Sequence, residues 1–226
     1  MSPSAIISLN LNPTHTTKTP LKHRNRNLQT THQTLKFFIV FKGLNMKVAI
    51  LPVGQVEQNV LQYIQETIPK IFPRTESVIL KDPLTLPSEA YNTRRRQYSS
   101  SFLATLVREY LKKTDADKIL GITTADLYAS RLNFVFGEAE CPGKAAIISL
   151  HRLKPEFYGQ SSNQSLFLER ATKETVHEIG HTLGLTHCSN NSCVMFFSNS
   201  IIDTDRKQQF FCVKCFETVQ NRLKKR

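Results

Sequence analysis

The chain has 226 residues, 40% of them hydrophobic, with 30 Lys and Arg against 18 Asp and Glu and a formal net charge of +12. Residues 1–45 hold six of the basic residues and no Asp or Glu, so half of the excess lies there and residues 46–226 carry a moderate +6. No basic stretch is interleaved with aromatics in a way that suggests a nucleic-acid surface, and the apolar run at 35–41 has only seven residues, far short of a membrane span.

Three readings fit residues 1–45. They form a disordered basic tail, an acid-poor organelle transit peptide, or a non-native start ahead of a true initiation at Met46. From Met46 the remaining chain suits one domain with a real core. KVAILPVG (47–54) reads as a buried strand, then an amphipathic helix covers 56–72 with Val56, Val60, Leu61, Ile64 and Ile68 on one face. SVIL (77–80) is a second strand, and Pro83 and Pro87 break the next stretch. A second helix is expected over 98–113, with Phe102, Leu106 and Tyr110 on its apolar stripe. After a turn at 115–117, a third strand begins at Lys118. NFVFGEA (133–139) and AAIISLHRL (145–153) read as a hairpin joined by CPGK. Alternating strands and helices imply parallel pairing, with the hairpin as an antiparallel edge. The chain has no internal repeats. Arg94–Arg96 and the terminal Arg222, Lys224, Lys225 and Arg226 read as solvated basic runs.

The chemistry concentrates between His177 and Cys215. A long helix, with Leu166, Phe167, Ala171, Val176, Ile179 and Leu183 at helical spacing, carries H-E-x-x-H at His177, Glu178 and His181. Positions four apart share one helix face, so both imidazoles reach one ion. Gly184 permits a left-handed stop, and the chain can then bring His187 in as a third ligand. Three neutral imidazoles leave zinc an open position for chemistry. Glu178 can take a proton from an activated water and hand it to the leaving amine. Two histidines on an ordinary helix are the bland alternative, but three of the four histidines beyond residue 45 fall in this motif.

Four cysteines come next. Cys188 and Cys193 have four residues between them, and Cys212 and Cys215 form C-x-x-C. Two close pairs separated by a loop fit a closed S4 zinc site of structural type. The alternatives are two disulfides or scattered thiols, although disulfides require an oxidising compartment and no secretory signal is evident. Cys141 reads as a lone thiol with no role.

The whole string, with cysteine directly after the third histidine, a C-x-M step and a later C-x-x-C, resembles the archaemetzincins. MKVAILPVG from Met46 also resembles that family's opening strand, which favours the reading of 1–45 as a non-native start. The Met195-to-Cys212 spacing, with sixteen intervening residues, is one shorter than the family pattern and affects only a loop. The resemblance implies an α+β, zincin-like mixed sheet with an active-site helix and a small C-terminal zinc-bound subdomain. It implies two zinc ions: a catalytic one on His177, His181 and His187, and a structural one on Cys188, Cys193, Cys212 and Cys215. Glu178 is then the general base and Met195 forms a turn beneath the catalytic metal. Asn133 to Gly137 become candidates for an edge strand that binds substrate; an ordinary half-buried strand is the alternative. The expected function is a zinc-dependent metallopeptidase, with a natural substrate left undefined. Its expected partner is a peptide or protein, with no nucleic acid or membrane, in a cytoplasmic monomer. The alternatives are a non-catalytic zinc protein binding peptides or partners through the same groove, and a basic zinc-ribbon-like nucleic-acid binder. The last gives no reason for a base beside three histidines.

Overall fold

A computed structural model of the protein describes residues 46–224. The expectations for residues 1–45, and the terminal Lys225 and Arg226, lie outside these residues. Strand β1 (Met46–Val53) is apolar except for the half-buried Lys47 and is otherwise buried on both faces, as a central parallel strand must be. It pairs in parallel with β2 (Thr75–Ile79) on one side and β5 (Lys118–Thr123) on the other. Strand β8 (Ala145–Ser149) lies parallel to β5, and the short β7 (Gly137–Ala139) closes the edge antiparallel to β8. The sheet order is therefore β2-β1-β5-β8-β7.

Alternate residues of these strands feed two separate cores, because successive side chains point to opposite faces. Val48, Ile50, Leu120, Ile122, Ala146 and Ile148 pack with helix α1 (Gln58–Ile71) and helix α3 (Gln164–Thr182). Ala49, Leu51, Ile119, Ala145 and Ile147 pack instead with helix α2 (Ser100–Leu111). Each fully buried Ile or Leu is worth about 1.5–3 kcal/mol, so both layers hold the sheet firmly. Helix α1 buries Val60, Leu61, Ile64 and Ile68 as the sequence pattern requires, although Val56 precedes it, half-buried.

Helix α2 departs from expectation. It starts at Ser100, where Ser99 Oγ accepts from the Phe102 amide at 3.4 Å, and Tyr98 belongs to a strand. Its buried stripe is Leu103, Val107 and Leu111, while Phe102 is 41% exposed. Two neighbouring four-residue ladders compete in this sequence. The one with smaller side chains wins because α2 sits close on β5: a Cβ on Gly121 would lie 2.7 Å from Val107 Cγ2. Leu106 and Tyr110 pack only partly against the same core.

A second, smaller sheet has no counterpart in the sequence pattern. It joins β3 (Tyr91–Asn92), β4 (Gln97–Ser99) and β6 (Leu127–Tyr128), in the order β3-β4-β6. The expected hairpin forms, but its first strand is only Gly137–Ala139, so residues 133–136 lie outside it. Val135 instead makes an isolated bridge to Leu127.

The C-terminal segment adds α4 (Ile201–Arg206) and α5 (Val213–Lys224). A capping box between Ser200 and Asp203 starts α4. Val219 and Leu223 of α5 enter the same core as α1 and α3. The segment covers the polar face of α3, whose Arg170, Lys173 and Glu174 are all buried. Such charges need partners, and Asp205 takes Arg170 bidentately at 2.7 Å through both oxygens. Among the described residues, no helix is long and apolar enough to cross a membrane.

Candidate active site and metal centres

Helix α3 presents His177 and His181 on one face, and the chain turns at Leu183 and Gly184, where φ is +86°. Only glycine adopts that backbone readily, and the reversal carries His187 back to the other two rings. The ligand-capable atoms of the three histidines lie within 4.8 Å of one another. His177 Nδ1 meets Val194 O at 2.8 Å, and His181 Nδ1 meets Leu185 O at 2.7 Å. Each carbonyl can only accept, so the proton sits on Nδ1 and the lone pair on Nε2. The two Nε2 atoms face each other at 3.0 Å. Paired lone pairs without a proton between them suit a cation, and backbone-oriented imidazoles are the usual way a protein prepares a metal ligand.

Electrostatics agree with that preparation. Burial lowers the pKa of His177 well below the ordinary value, and the Lys207 ammonium and His181 lower it further. Burial also lowers His181 and His187, and Lys207 adds to both. All three imidazoles are thereby held in the neutral form that binds metal.

Glu178 is buried beside them and lines the same cleft. Burial pushes its pKa well above the usual carboxylate range, Glu174 adds to the rise, and Lys207 opposes it. Its carboxyl group lies against the edge strand. A Cβ on Gly137 would lie 2.6 Å from Glu178 Oε1 and 2.7 Å from its Cγ, so only glycine leaves room there. The cleft encloses about 580 Å3 and is lined by residues 131–139, by α3, and by Phe197, Ser198 and Asn199. The candidates Asn133 to Gly137 thus line it, although only Gly137 is in a strand.

Met195 is fully buried in a turn closed by the Phe196 amide donating to Cys193 O at 2.9 Å. Its Sδ lies 2.5 Å from where a Cβ on Gly180 would be, which explains glycine within H-E-I-G-H. The neighbouring Val194 carbonyl is the one that orients His177.

The four sulfurs of Cys188, Cys193, Cys212 and Cys215 also gather within 4.8 Å. Cys188 Sγ and Cys212 Sγ are 3.9 Å apart, and all four cysteines are free thiols rather than disulfides. The Asn190 amide donates to Cys188 Sγ at 3.5 Å, and the Cys212 amide to Cys193 Sγ at 3.3 Å. Burial raises the pKa of Cys193 and Cys215, whereas the Cys215 backbone amide lowers that of Cys212. Four convergent thiols of this kind suit a soft, closed tetrahedral metal. Cys141 stands apart, exposed, and donates to Leu185 O at 3.3 Å, the carbonyl that also orients His181.

Two buried residues escape a reading of the sequence. Lys207 is fully buried and pairs with the buried Glu174 at 3.0 Å. The position of Glu174, four residues before Glu178, places it on the same helix face and offers a signal. Its partner is 33 residues distant and offers none.

The sequence of residues 47–221 matches peptidase family M54. The archaemetzincin of Methanocaldococcus jannaschii is 46% identical over 177 residues, covering 78% of this chain and 94% of that protein. The crystal structure of archaemetzincin from Methanopyrus kandleri superposes with a TM-score of 0.72 at 36% identity, covering 82% of this chain and 99% of that one. The archaemetzincin of Archaeoglobus fulgidus, solved in complex with malonate, gives 0.66 at 40% identity, covering 76% and 99%.

Proposed function

We propose that this chain, which belongs to peptidase family M54 and is a zinc metalloprotease of zincin-like fold, cleaves peptide bonds with Glu178 as its general base. His177, His181 and His187 hold the catalytic zinc in this reading, and Cys188, Cys193, Cys212 and Cys215 hold a second, structural one. The observation that carries it is the convergence of three imidazoles, two of them presenting Nε2, beside a buried carboxylate in one open cleft. When bound there, zinc supplies Lewis-acid polarisation of a carbonyl oxygen and makes water acidic enough to lose a proton near neutral pH.

The protein's own groups do the rest. Glu178 accepts the proton from the attacking water through a carboxylate oxygen. The water oxygen adds to the carbonyl carbon, the carbon–nitrogen bond breaks, and Glu178 returns the proton to the departing amine. Gly137 keeps the carboxylate in place by leaving it room. The Val194 and Leu185 carbonyls keep two ring planes fixed. Met195 fills the space against Gly180 and sets the height of the Val194 turn.

The closed cluster supports the open one through the backbone. The Cys188 amide donates to Met195 O at 2.9 Å, so the residue after His187 is tied to the residue after Val194. Cys188 and Cys193 bracket that tie. A metal on the four sulfurs would therefore fix both His187 and the turn that orients His177.

The test is Glu178→Ala, assayed for zinc content and for digestion of a peptide library. The variant should keep its zinc and lose about 10²–10⁴-fold in turnover. Undiminished cleavage in that variant would remove Glu178 from the mechanism.

A further inference from the structure

We infer that the cleft carries a polar side-chain pocket, built on Glu174 and Ser198, that selects a substrate residue ending in a carboxamide, Gln or Asn. This rests on the peptidase reading above and adds to it the class of side chain recognised.

Glu174 lies one helical turn before Glu178 and lines the same cleft, yet it is only 2% exposed. Two buried donors converge on one of its oxygens. Lys207 Nζ lies 3.0 Å from Oε1, and Thr204 Oγ1 donates to the same atom at 3.1 Å. A carboxylate has about four acceptor sites, so acceptor capacity remains on the group for a molecule in the cleft. The same Lys207 ammonium donates to Phe196 O at 3.5 Å, which brings Glu174 to the segment that carries Ser198, the complement. Ser198 lines the cleft, and its buried hydroxyl has no hydrogen-bond partner among the described residues. A buried orphan of this kind calls for a partner that arrives later.

The pocket thus offers an acceptor and a donor, and a carboxamide presents the matching NH₂ and C=O. Other side chains fit less well. The charge of Glu174 is already matched by Lys207, so a Lys or Arg would bring an unmatched charge into a buried place. An Asp or Glu would meet the carboxylates of Glu174 and Glu178. An apolar side chain would leave the Ser198 hydroxyl without a partner.

The test uses matched peptides that differ at one position, Gln against the near-isosteric Met, on zinc-loaded protein. Wild type should favour Gln in kcat/KM by about tenfold or more, as expected for hydrogen bonds to a charged group. Ser198→Ala should cut that ratio, and Glu174→Met combined with Lys207→Met should invert it towards Met. A merely structural role for these residues would lower both peptides together and leave the ratio intact, which would overturn the inference. A wild-type ratio near one would overturn it as well. If the double variant fails to fold, Ser198→Ala, which removes a single oxygen, decides the matter. If wild type cleaves neither peptide, the failure belongs to the catalytic reading. The pocket is then read from binding of the same two peptides to Glu178→Ala protein by fluorescence anisotropy. Tighter Gln binding supports the pocket, and equal binding overturns it.

Discussion

The two candidate metal clusters occupy one stretch of chain, His177 to Cys215, and are opposite in construction. The histidine cluster draws two residues from a rigid helix and one from the turn after it, and it opens onto a cleft. Two of its rings are locked by backbone carbonyls. The cysteine cluster draws all four residues from loops and the start of α5, and its sulfurs receive backbone amides. The first is shaped by the helix and turn around it. The second joins loops that the buried Val194 and Met195, and the Val194 amide donating to Phe210 O, already bring together. A site for chemistry needs an open position held by rigid neighbours, whereas a site for stability needs every position taken.

Gradual removal of metal should separate the two clusters most strongly. A moderate chelator should empty the open histidine site first, with complete loss of peptidase activity, while the cysteine site keeps its zinc. Zinc release and activity followed together provide the measurement. Thiol-bound zinc leaving first, with activity intact, would reverse the assignment. Loss of the cysteine zinc under harsher treatment should unfold the C-terminal segment, since structural zinc contributes roughly 10–16 kcal/mol of apparent binding energy in small zinc domains.

A smaller perturbation tests the rigid wall of the open site. Gly137→Ala places a methyl group 2.6 Å from Glu178 Oε1 and must displace that carboxylate. A shift of about 1 Å in a catalytic group can cost on the order of 10²-fold in rate. Turnover should fall by that order with the zinc content unchanged, as read from kcat/KM and metal analysis of the same sample. Full activity would mean that the edge strand yields instead of Glu178.

The site is more legible in the sequence than the fold around it, for a physical reason. His177, Glu178, His181 and His187 lie within eleven residues, and helical geometry alone brings the first three close together. The buried strand β1 and the apolar face of α1 are similarly local patterns. The stripe of α2 cannot be settled locally, because Val107 is chosen over its neighbours by the closeness of Gly121 across the sheet. Strands β3, β4 and β6 have two or three residues each and are too short to show a period. The edge strand is shorter than its apolar pattern, since Val135 turns to bridge Leu127 and Phe136 keeps a single bond to β8, accepting from the Ser149 amide at 2.7 Å. Lys207 lies on a polar stretch and reveals its burial only when α4 folds over α3.

In the proposed reading, a metal on the four cysteines would hold the open cluster in shape through Cys188, whose amide donates to Met195 O, and the Val194 carbonyl that meets His177. Cys212→Ser probes that coupling at its root, because Cys212 lies far in sequence from all three histidines. Zinc affinity of the histidine site, measured by competition with a chromogenic chelator, should weaken by about 10–100-fold, the range seen when the surroundings of a metal ligand are disturbed. Unchanged affinity at the histidine site, with zinc lost only from the cysteines, would refute the coupling and make the two sites independent.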